Sequence, residues 1–224
     1  MIADDKLFRL RYGSIMIEAS TTTLLSHNVS RETFSPMATY VALLLKWNSK
    51  INLIGPMTEA DIWSRHIDDS LQLLPLIPEA ATSLADLGSG AGLPGLVIAI
   101  ARPDLAVTLV EQDQRKAAFL NEAKRVLGLT HVTVEAINVA KVSRQYDVVT
   151  ARALAPLTQL LTMARPLMHD ASIGIFPKGA NYQAELDEAG ANWRFSHHLN
   201  PSKTNADSSI ITISQLTSIS AANR

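Results

Sequence analysis

Apolar residues recur at helical spacing over the first third of the chain, then give way to short apolar runs that alternate with helical ones. From Thr33 to Lys50 the positions Phe34, Met37, Val41, Leu44, Leu45 and Trp47 share one face of an amphipathic helix, with Pro36 tolerated in its first turn. A second such helix is expected from about Glu59 to Leu74, where Ile62, Trp63, His66, Ile67, Ser70 and Leu71 fall largely on one side before Pro75 and Pro78. The stretch before Ser30 carries helical patches and a polar Ser20-Thr21-Thr22-Thr23 run. After Ala81, strands are expected at 83–87, 106–110, 132–137, 146–150 and 173–176, with helices at 93–102, 115–127 (closed by Gly128) and 156–168. Segments 193–199 and 209–213 supply two last strands. Alternating strands and helices argue for a parallel sheet covered on both faces. The expected architecture is therefore α/β and Rossmann-like: a mostly parallel seven-stranded sheet over residues 81–224, behind an N-terminal helical cap over residues 1–80.

Between the first of these strands and its helix lies the most restrictive segment of the chain, Asp86-Leu87-Gly88-Ser89-Gly90-Ala91-Gly92-Leu93-Pro94-Gly95. Glycine is needed where the backbone takes positive φ or comes within contact of a ligand, and the free N–H groups of a following helix favour electron-rich groups. A nucleotide site is the natural reading, and two versions of it are open. Gly90-Ala91-Gly92-Leu93-Pro94-Gly95 satisfies the dinucleotide fingerprint, and Glu111 stands 21 residues after Gly90, where a ribose-binding acid belongs. That reading predicts a nicotinamide-dependent oxidoreductase. Alternatively, Asp86-x-Gly88-x-Gly90-x-Gly92 resembles the first-strand signature of class I S-adenosylmethionine-dependent methyltransferases. In that version Asp86 holds the amino-acid end of the cofactor, and Gly88, Gly90, Gly92 and Leu93 form its cradle. Glu111 accepts both ribose hydroxyls, which suits an ionised carboxylate. Asn138, Val139 and Ala140, after the third strand, then face the adenine. Asp86 ahead of the glycines and a Pro94 that a pyrophosphate-binding helix start would not welcome favour the methyl donor.

Composition narrows the acceptor. At 224 residues and 47% hydrophobic content the chain can bury a full core. It has no cysteine, which removes thiolate metal sites and the nucleophile needed for carbon-5 methylation of pyrimidines. The fourth strand runs into Thr150-Ala151-Arg152-Ala153-Leu154-Ala155-Pro156 rather than the Asn/Asp-Pro-Pro-Tyr of enzymes that methylate exocyclic amines. What remains is an acceptor that already owns a lone pair, such as guanine N7, for which alignment matters more than a base. Asp4 and Asp5 stand where a signal peptide would be basic, and the apolar run Leu93–Ala101 is too short to span a bilayer. A soluble, cytoplasmic protein is expected, with no membrane, metal or DNA partner. A formal net charge of −1 supplies no global field for nucleic acid, so a structured particle is expected as substrate rather than free RNA.

From about Leu43 to Gly179 the chain resembles the bacterial small-subunit ribosomal RNA guanine-N7 methyltransferases, the glucose-inhibited division protein B family. The resemblance rests on Lys46-Trp47-Asn48 with Asn52-Leu53, on Arg65-His66-x-x-Asp69-Ser70, and on the glycine segment through Gly95. It continues through Arg102-Pro103, Arg115-Lys116-x-x-Phe119-Leu120, Ala151-Arg152-Ala153 and Lys178-Gly179. It implies N7 methylation of guanosine 527 of 16S rRNA, in the decoding region, with the rRNA or the small subunit as partner. It also implies catalytic roles for Arg152, Lys178 and His66, a cofactor contact by Arg152, and RNA contacts by Asn52, Arg65, Arg115 and Lys116. Bland alternatives stand beside these: an ion pair for Arg152, a surface lysine for Lys178, a core histidine for His66, a cap for Asn52 and a solvated face for Arg115 and Lys116. The chain departs from the family pattern at Asn138-Val139-Ala140-Lys141, where an arginine and an acidic pair are usual. Loss of activity there would leave a non-catalytic ribosome-binding module.

Overall fold

The computed structural model describes residues 7–12, 15–20 and 33–219. Its first elements correct the expectation of an all-helical N-terminus. Leu7–Tyr12 (β1) and Ile15–Ser20 (β2) pair as an antiparallel hairpin, with Tyr12 opposite Ile15. The sequence reason is a period-two alternation, Phe8, Leu10 and Tyr12 between Arg9 and Arg11, that helical patches obscure. Thr21 to Thr23 of the polar run lie outside the described residues. Phe34–Asn48 forms the expected helix, α1, with Phe34, Met37, Val41 and Leu44 buried together with Ala38, Tyr40, Ala42 and Leu43. The expected 59–74 helix is instead a wide π-helical segment, Trp63–Asp68, continued by a single α-turn, Asp69–Leu71. Leu74–Leu76 then closes as a 3-10 turn around Pro75.

Seven strands form the main sheet. Parallel to one another run β3 (Ser83–Leu87), β4 (Ala106–Val110), β5 (Val132–Glu135), β6 (Tyr146–Thr150) and β7 (Met168–Lys178). The helix α2 (Gly95–Ala101) follows β3, α3 (Gln114–Leu127) follows β4, and α4 (Leu157–Ala164) follows β6. After β7 come α5 (Tyr182–Gly190), β8 (Trp193–Pro201) and β9 (Ser209–Ser218), with β9 inserted antiparallel between β7 and β8. The order is β5-β4-β3-β6-β7-β9-β8. Chain direction across the sheet therefore reverses between β3 and β6, the switch point where open α/β sheets take their ligands.

One core lies on each face. α1, α2 and α3 cover one, α4 and α5 the other. α2 is buried along Gly95–Ile100 because it lies between α1 and the sheet, which is why its sequence is apolar all round. α3 shows its ends in the sequence: the Asp113 side chain accepts from the backbone N–H of Arg115 and Lys116, and Gly128 takes φ 66° after the last turn. The expected 156–168 helix stops at Ala164 because Pro166 cannot continue it, and Met168 already opens β7. α5 was not expected. Its Tyr182, Leu186 and Ala189 do stand at helical spacing, with Leu186 and Ala189 buried and Tyr182 packed against the same core.

Candidate functional site

The glycine segment leaves β3 at the sheet's carboxyl edge. Gly88, Gly90 and Gly92 all take positive φ, at 64°, 55° and 83°. Gly90 has open space where a Cβ would stand, its nearest neighbour being the Gly88 carbonyl at 3.7 Å. Gly95 is required for the opposite reason: a Cβ there would run into the side chains of Asp86 and Leu109, so the first turn of α2 presses directly on the strands. Beneath this turn Asp86 is fully buried, one carboxyl oxygen accepting from the Gly95 N–H at 3.2 Å and the other, Oδ1, without a partner. Burial pushes its pKa up to about 7. Tyr40 of α1 donates its phenolic O–H to the Ala91 carbonyl at 2.7 Å, tying the N-terminal helix to the loop. A buried phenol left unpaired costs about 1–3 kcal/mol, so this bond fixes both partners.

Glu111, at the end of β4, braces the loop from the other side. Its Oε2 accepts from the Gly90 N–H and its Oε1 from the Asp113 N–H, both at 2.8 Å. Each oxygen has a further lone pair to offer, and Glu111 lines a cavity of about 280 Å³ together with Gly88, Gly90, Ile137, Asn138 and Val139. The lining is mixed, with Val110, Ile137, Val139, Leu154 and Met163 apolar and Glu111, Gln112, Lys116 and Asn138 polar. A flat heterocycle against the apolar residues and a diol against a carboxylate fit that mixture, and the unpartnered Asp86 Oδ1, buried beneath the turn and outside the cavity lining, suits a nearby cation. Asn138 uses its side chain locally, accepting from the Ala140 N–H and donating to Gln112 Oε1. Ala140 is exposed and outside the lining, and Leu93 is buried in the turn.

A second, larger cleft of about 640 Å³ opens beside the first. Ala153 and Leu154, in the loop after β6, line both cavities, so they form the wall across which anything would pass. Ala153 itself has φ 53°, a conformation that costs a non-glycine residue on the order of 1 kcal/mol and that its neighbours must hold. The structure places Arg152 in the cleft rather than in the smaller cavity. Its guanidinium donates to Asp69 Oδ2 at 2.9 Å and to His66 Nδ1 at 3.3 Å. Because guanidinium only donates, His66 Nδ1 must be the acceptor, and the ring's proton sits on Nε2, 2.8 Å from Thr58 Oγ1. Burial, then the charge of Arg152, lowers the His66 pKa to about 4, so the ring is neutral. Arg65 lines the same cleft.

Lys178, at the end of β7, is held down. Its Nζ donates to the Ala155 carbonyl at 2.7 Å and to Glu185 Oε2 at 2.8 Å, and that oxygen also takes the Leu157 N–H at 2.7 Å. It therefore buckles the 151–156 loop to α5, with one donor left for the cleft. Asn52 is exposed and lines neither cavity, and the capping belongs to Asn48, whose Oδ1 accepts from the Leu53 and Ile54 N–H groups. Lys116 lies on the rim of the smaller cavity, away from the cleft, and Arg115 is exposed beside Asp113. Trp47 packs edge-on against Phe119 in the core. Sequence reasoning gave no role to Tyr40, Thr58, Gln72 or Glu185. Asp69 had a signal, since Arg65, His66 and Asp69 are spaced to share a helical face.

Among the described residues no group of three or more His, Asp or Glu is placed to hold a metal ion, and no helix is long and apolar enough to cross a membrane. Comparison with known proteins adds the following. A family model described as rRNA small subunit methyltransferase G matches residues 33–210. Ribosomal RNA small subunit methyltransferase G of Gluconobacter oxydans (strain 621H) is 50% identical over 187 residues, which cover 83% of this chain and 95% of that protein. The protein of the same name from Methylobacterium radiotolerans is 48% identical over 198 residues, covering 86% and 93%. Among solved structures, a glycopeptide N-methyltransferase complexed with S-adenosyl-L-methionine superposes with a TM-score of 0.57 at 7% identity, covering 67% of this chain and 94% of that one. The ribosomal protein L11 methylase of Lactobacillus delbrueckii subsp. bulgaricus gives 0.54 at 14% identity, covering 67% and 78%. At such identities the likeness is one of fold.

Proposed function

The chain belongs to the rRNA small subunit methyltransferase G family, and on that premise we propose that it transfers the methyl group of S-adenosylmethionine to N7 of a guanosine, at position 527 of 16S rRNA. Membership removes the ground for the nicotinamide and non-catalytic readings. The smaller cavity takes the donor, with Glu111 on the ribose, Ile137, Asn138 and Val139 around the adenine, and Asp86 toward the ammonium. The cleft takes the guanine, and Arg65 takes a phosphate. The division near residue 80 then separates a segment that closes the acceptor side from the one that holds the donor. We place the reaction in the cytoplasm, on the small subunit or its precursor.

When bound, S-adenosylmethionine supplies an electrophilic methyl on a sulfonium sulfur. N7 attacks with its own lone pair, the carbon–sulfur bond breaks as the nitrogen–carbon bond forms, and no proton leaves the base. The observation that carries this reading is that the described cleft holds no free general base. His66 is neutral with Nδ1 engaged by Arg152, Asp69 is paired with Arg152, and Glu185 is paired with Lys178. Such a site suits an acceptor that needs alignment and charge, not deprotonation. Incubation with labelled S-adenosylmethionine and unmodified small subunits, followed by mapping, is the direct test. Label on one guanine, with the strand scission typical of N7-alkylated guanosine, is expected; label on another atom, or equal labelling of naked short RNA, would overturn it.

Donor binding carries its own pH signature. Burial raises the Asp86 pKa from 3.8 to about 7. Its ionisation therefore works against the free fold: the contribution to stability is full below 3.8 and is lost as pH rises through 7. A cationic group bound beside it reverses that preference. Donor affinity, measured calorimetrically, is expected to rise between pH 6 and pH 8 with a midpoint near 7, and Asp86→Asn is expected to flatten the profile. An unchanged profile in Asp86→Asn would take the ammonium away from this carboxylate.

A further inference from the structure

The loop between β8 and β9, residues 202–208, forms the far wall of the cleft, and a buried amide seats it there. Gln72 is only 4% exposed. Its Oε1 accepts from the Lys203 N–H at 2.8 Å, and its Nε2 donates to Asp69 Oδ1 at 2.9 Å. These two partners fix the orientation of the amide, because turning it over would set an NH₂ against a backbone N–H and an oxygen against a carboxylate. Thr204 completes the arrangement. Its hydroxyl donates to the same Asp69 Oδ1 at 2.7 Å. With two donors on Oδ1, the carboxylate cannot rotate, and Oδ2 is left facing Arg152 at 2.9 Å.

We infer that Gln72 and Thr204 are positioning residues for methyl transfer: they lock the Asp69 carboxylate so that it sets the Arg152 guanidinium beside the wall shared by the two cavities. The connection runs across 130 residues or more of sequence, from the last hairpin loop through Gln72, Asp69 and Arg152 to His66 and Thr58. Its central member, Arg152, stands one residue before Ala153, whose backbone is left-handed and which lines both cavities. Neither Gln72 nor Thr204 needs to touch the base. The loop that carries Thr204 is otherwise small and polar, so its hold on the wall depends on these bonds and not on apolar packing.

The inference rests on the methyl-transfer reading, and one assay separates the two. The parent enzyme, Thr204→Ser, Thr204→Val and Gln72→Met are compared on unmodified small subunits at saturating donor, with donor affinity measured calorimetrically alongside. Thr204→Val keeps the shape and deletes the hydroxyl, and a misaligned acceptor is expected to lower kcat about tenfold. Donor affinity stays as in the parent, the melting temperature falls by only about 2–6 °C, and Thr204→Ser restores kcat to within about twofold because the donating hydroxyl returns. Gln72→Met is expected to match Thr204→Val, and the double variant to lose little more, because both act through one carboxylate. Parental kcat in Thr204→Val, or an equal loss in Thr204→Ser, would overturn the inference. A parent enzyme that leaves small subunits unlabelled would instead overturn the function. If Gln72→Met does not fold, the two Thr204 variants decide alone.

Discussion

An Arg152→Met enzyme is expected to transfer methyl at least about 10²-fold more slowly than the parent while binding S-adenosylmethionine with nearly parental affinity. The guanidinium lies in the cleft, outside the donor cavity, and three partners converge on it: Asp69 Oδ2, His66 Nδ1 and, at 3.5 Å, the Arg65 carbonyl. Methionine preserves the stem and removes every donor. Asp69 is then left as an uncompensated carboxylate at the cleft floor, and an acceptor approaching with its phosphates meets the wrong sign of charge. The pair's side chains are 17% and 22% exposed, so its loss is expected to cost the fold only about 1–2 kcal/mol, less than a fully buried pair would. Arg152→Lys is not expected to rescue the rate, since a single ammonium cannot satisfy a carboxylate and an imidazole that lie on different sides of a planar fork. Single-turnover methylation with a parallel calorimetric titration reads both quantities, and a near-parental rate in Arg152→Met would remove the guanidinium from the chemistry.

The half of the candidate site built on the glycine turn was legible as geometry because its constraints are local. Asp86, the glycines and the Gly128 stop are each imposed by backbone geometry within a few residues, and Glu111 sits one strand away at a predictable strand end. The acceptor half is assembled from the π segment, the loop after β6, the end of β7 and the last hairpin loop. No local pattern reports that Asp69 meets Arg152 or that Gln72 meets Lys203, because those pairings are made by packing of distant elements. Charge-bearing residues were therefore found more readily than their roles. Lys178 reads as a free phosphate ligand until Glu185 is seen to hold it, and α5, which carries Glu185, has too short an apolar pattern to stand out. Lys116 reads as part of a basic helix face until the turn at Asp113 swings it over the donor cavity. The N-terminal hairpin failed in the other direction, since helical patches outweighed a period-two pattern confined to the six residues of β1.

Both halves meet where strand order reverses, and this explains why one wall serves two cavities. β3 lies between β4 and β6, so the glycine turn and the 151–156 loop emerge side by side. On the proposed assignment, a donor held by the first would be separated from an acceptor held by the second only by Ala153 and Leu154, which line both cavities. Two braces hold the shape of this wall, Tyr40 on the glycine turn from outside both cavities and the Lys178–Glu185 pair on the loop from the edge of the cleft. Such preorganisation is what a displacement without proton transfer requires, because position is most of what the protein contributes.

Glu111→Ala is expected to weaken S-adenosylmethionine binding by about 10²-fold or more and to lower the melting temperature by about 4–24 °C. Glu111 is 7% exposed, and its carboxylate is the acceptor for both the Gly90 and Asp113 N–H groups. Deleting it leaves two backbone donors without their partner, at about 1–3 kcal/mol each, and frees the turn whose shape makes the cavity. The Asp113 cap of α3 loosens with it, since Asp113 is held by the same side chain. Shortening to aspartate does not restore the brace, because one methylene less cannot span both N–H groups. Glutamine is the discriminating change: it keeps one carbonyl oxygen but turns an NH₂ toward one of the two N–H donors and toward a ribose hydroxyl. A loss of about tenfold in donor affinity, with a smaller drop in melting temperature than in Glu111→Ala, is expected for Glu111→Gln. Should Glu111→Gln melt lower yet bind the donor as tightly as the parent, the carboxylate is only a brace for the glycine turn, and the ribose must be held by the backbone of the turn itself.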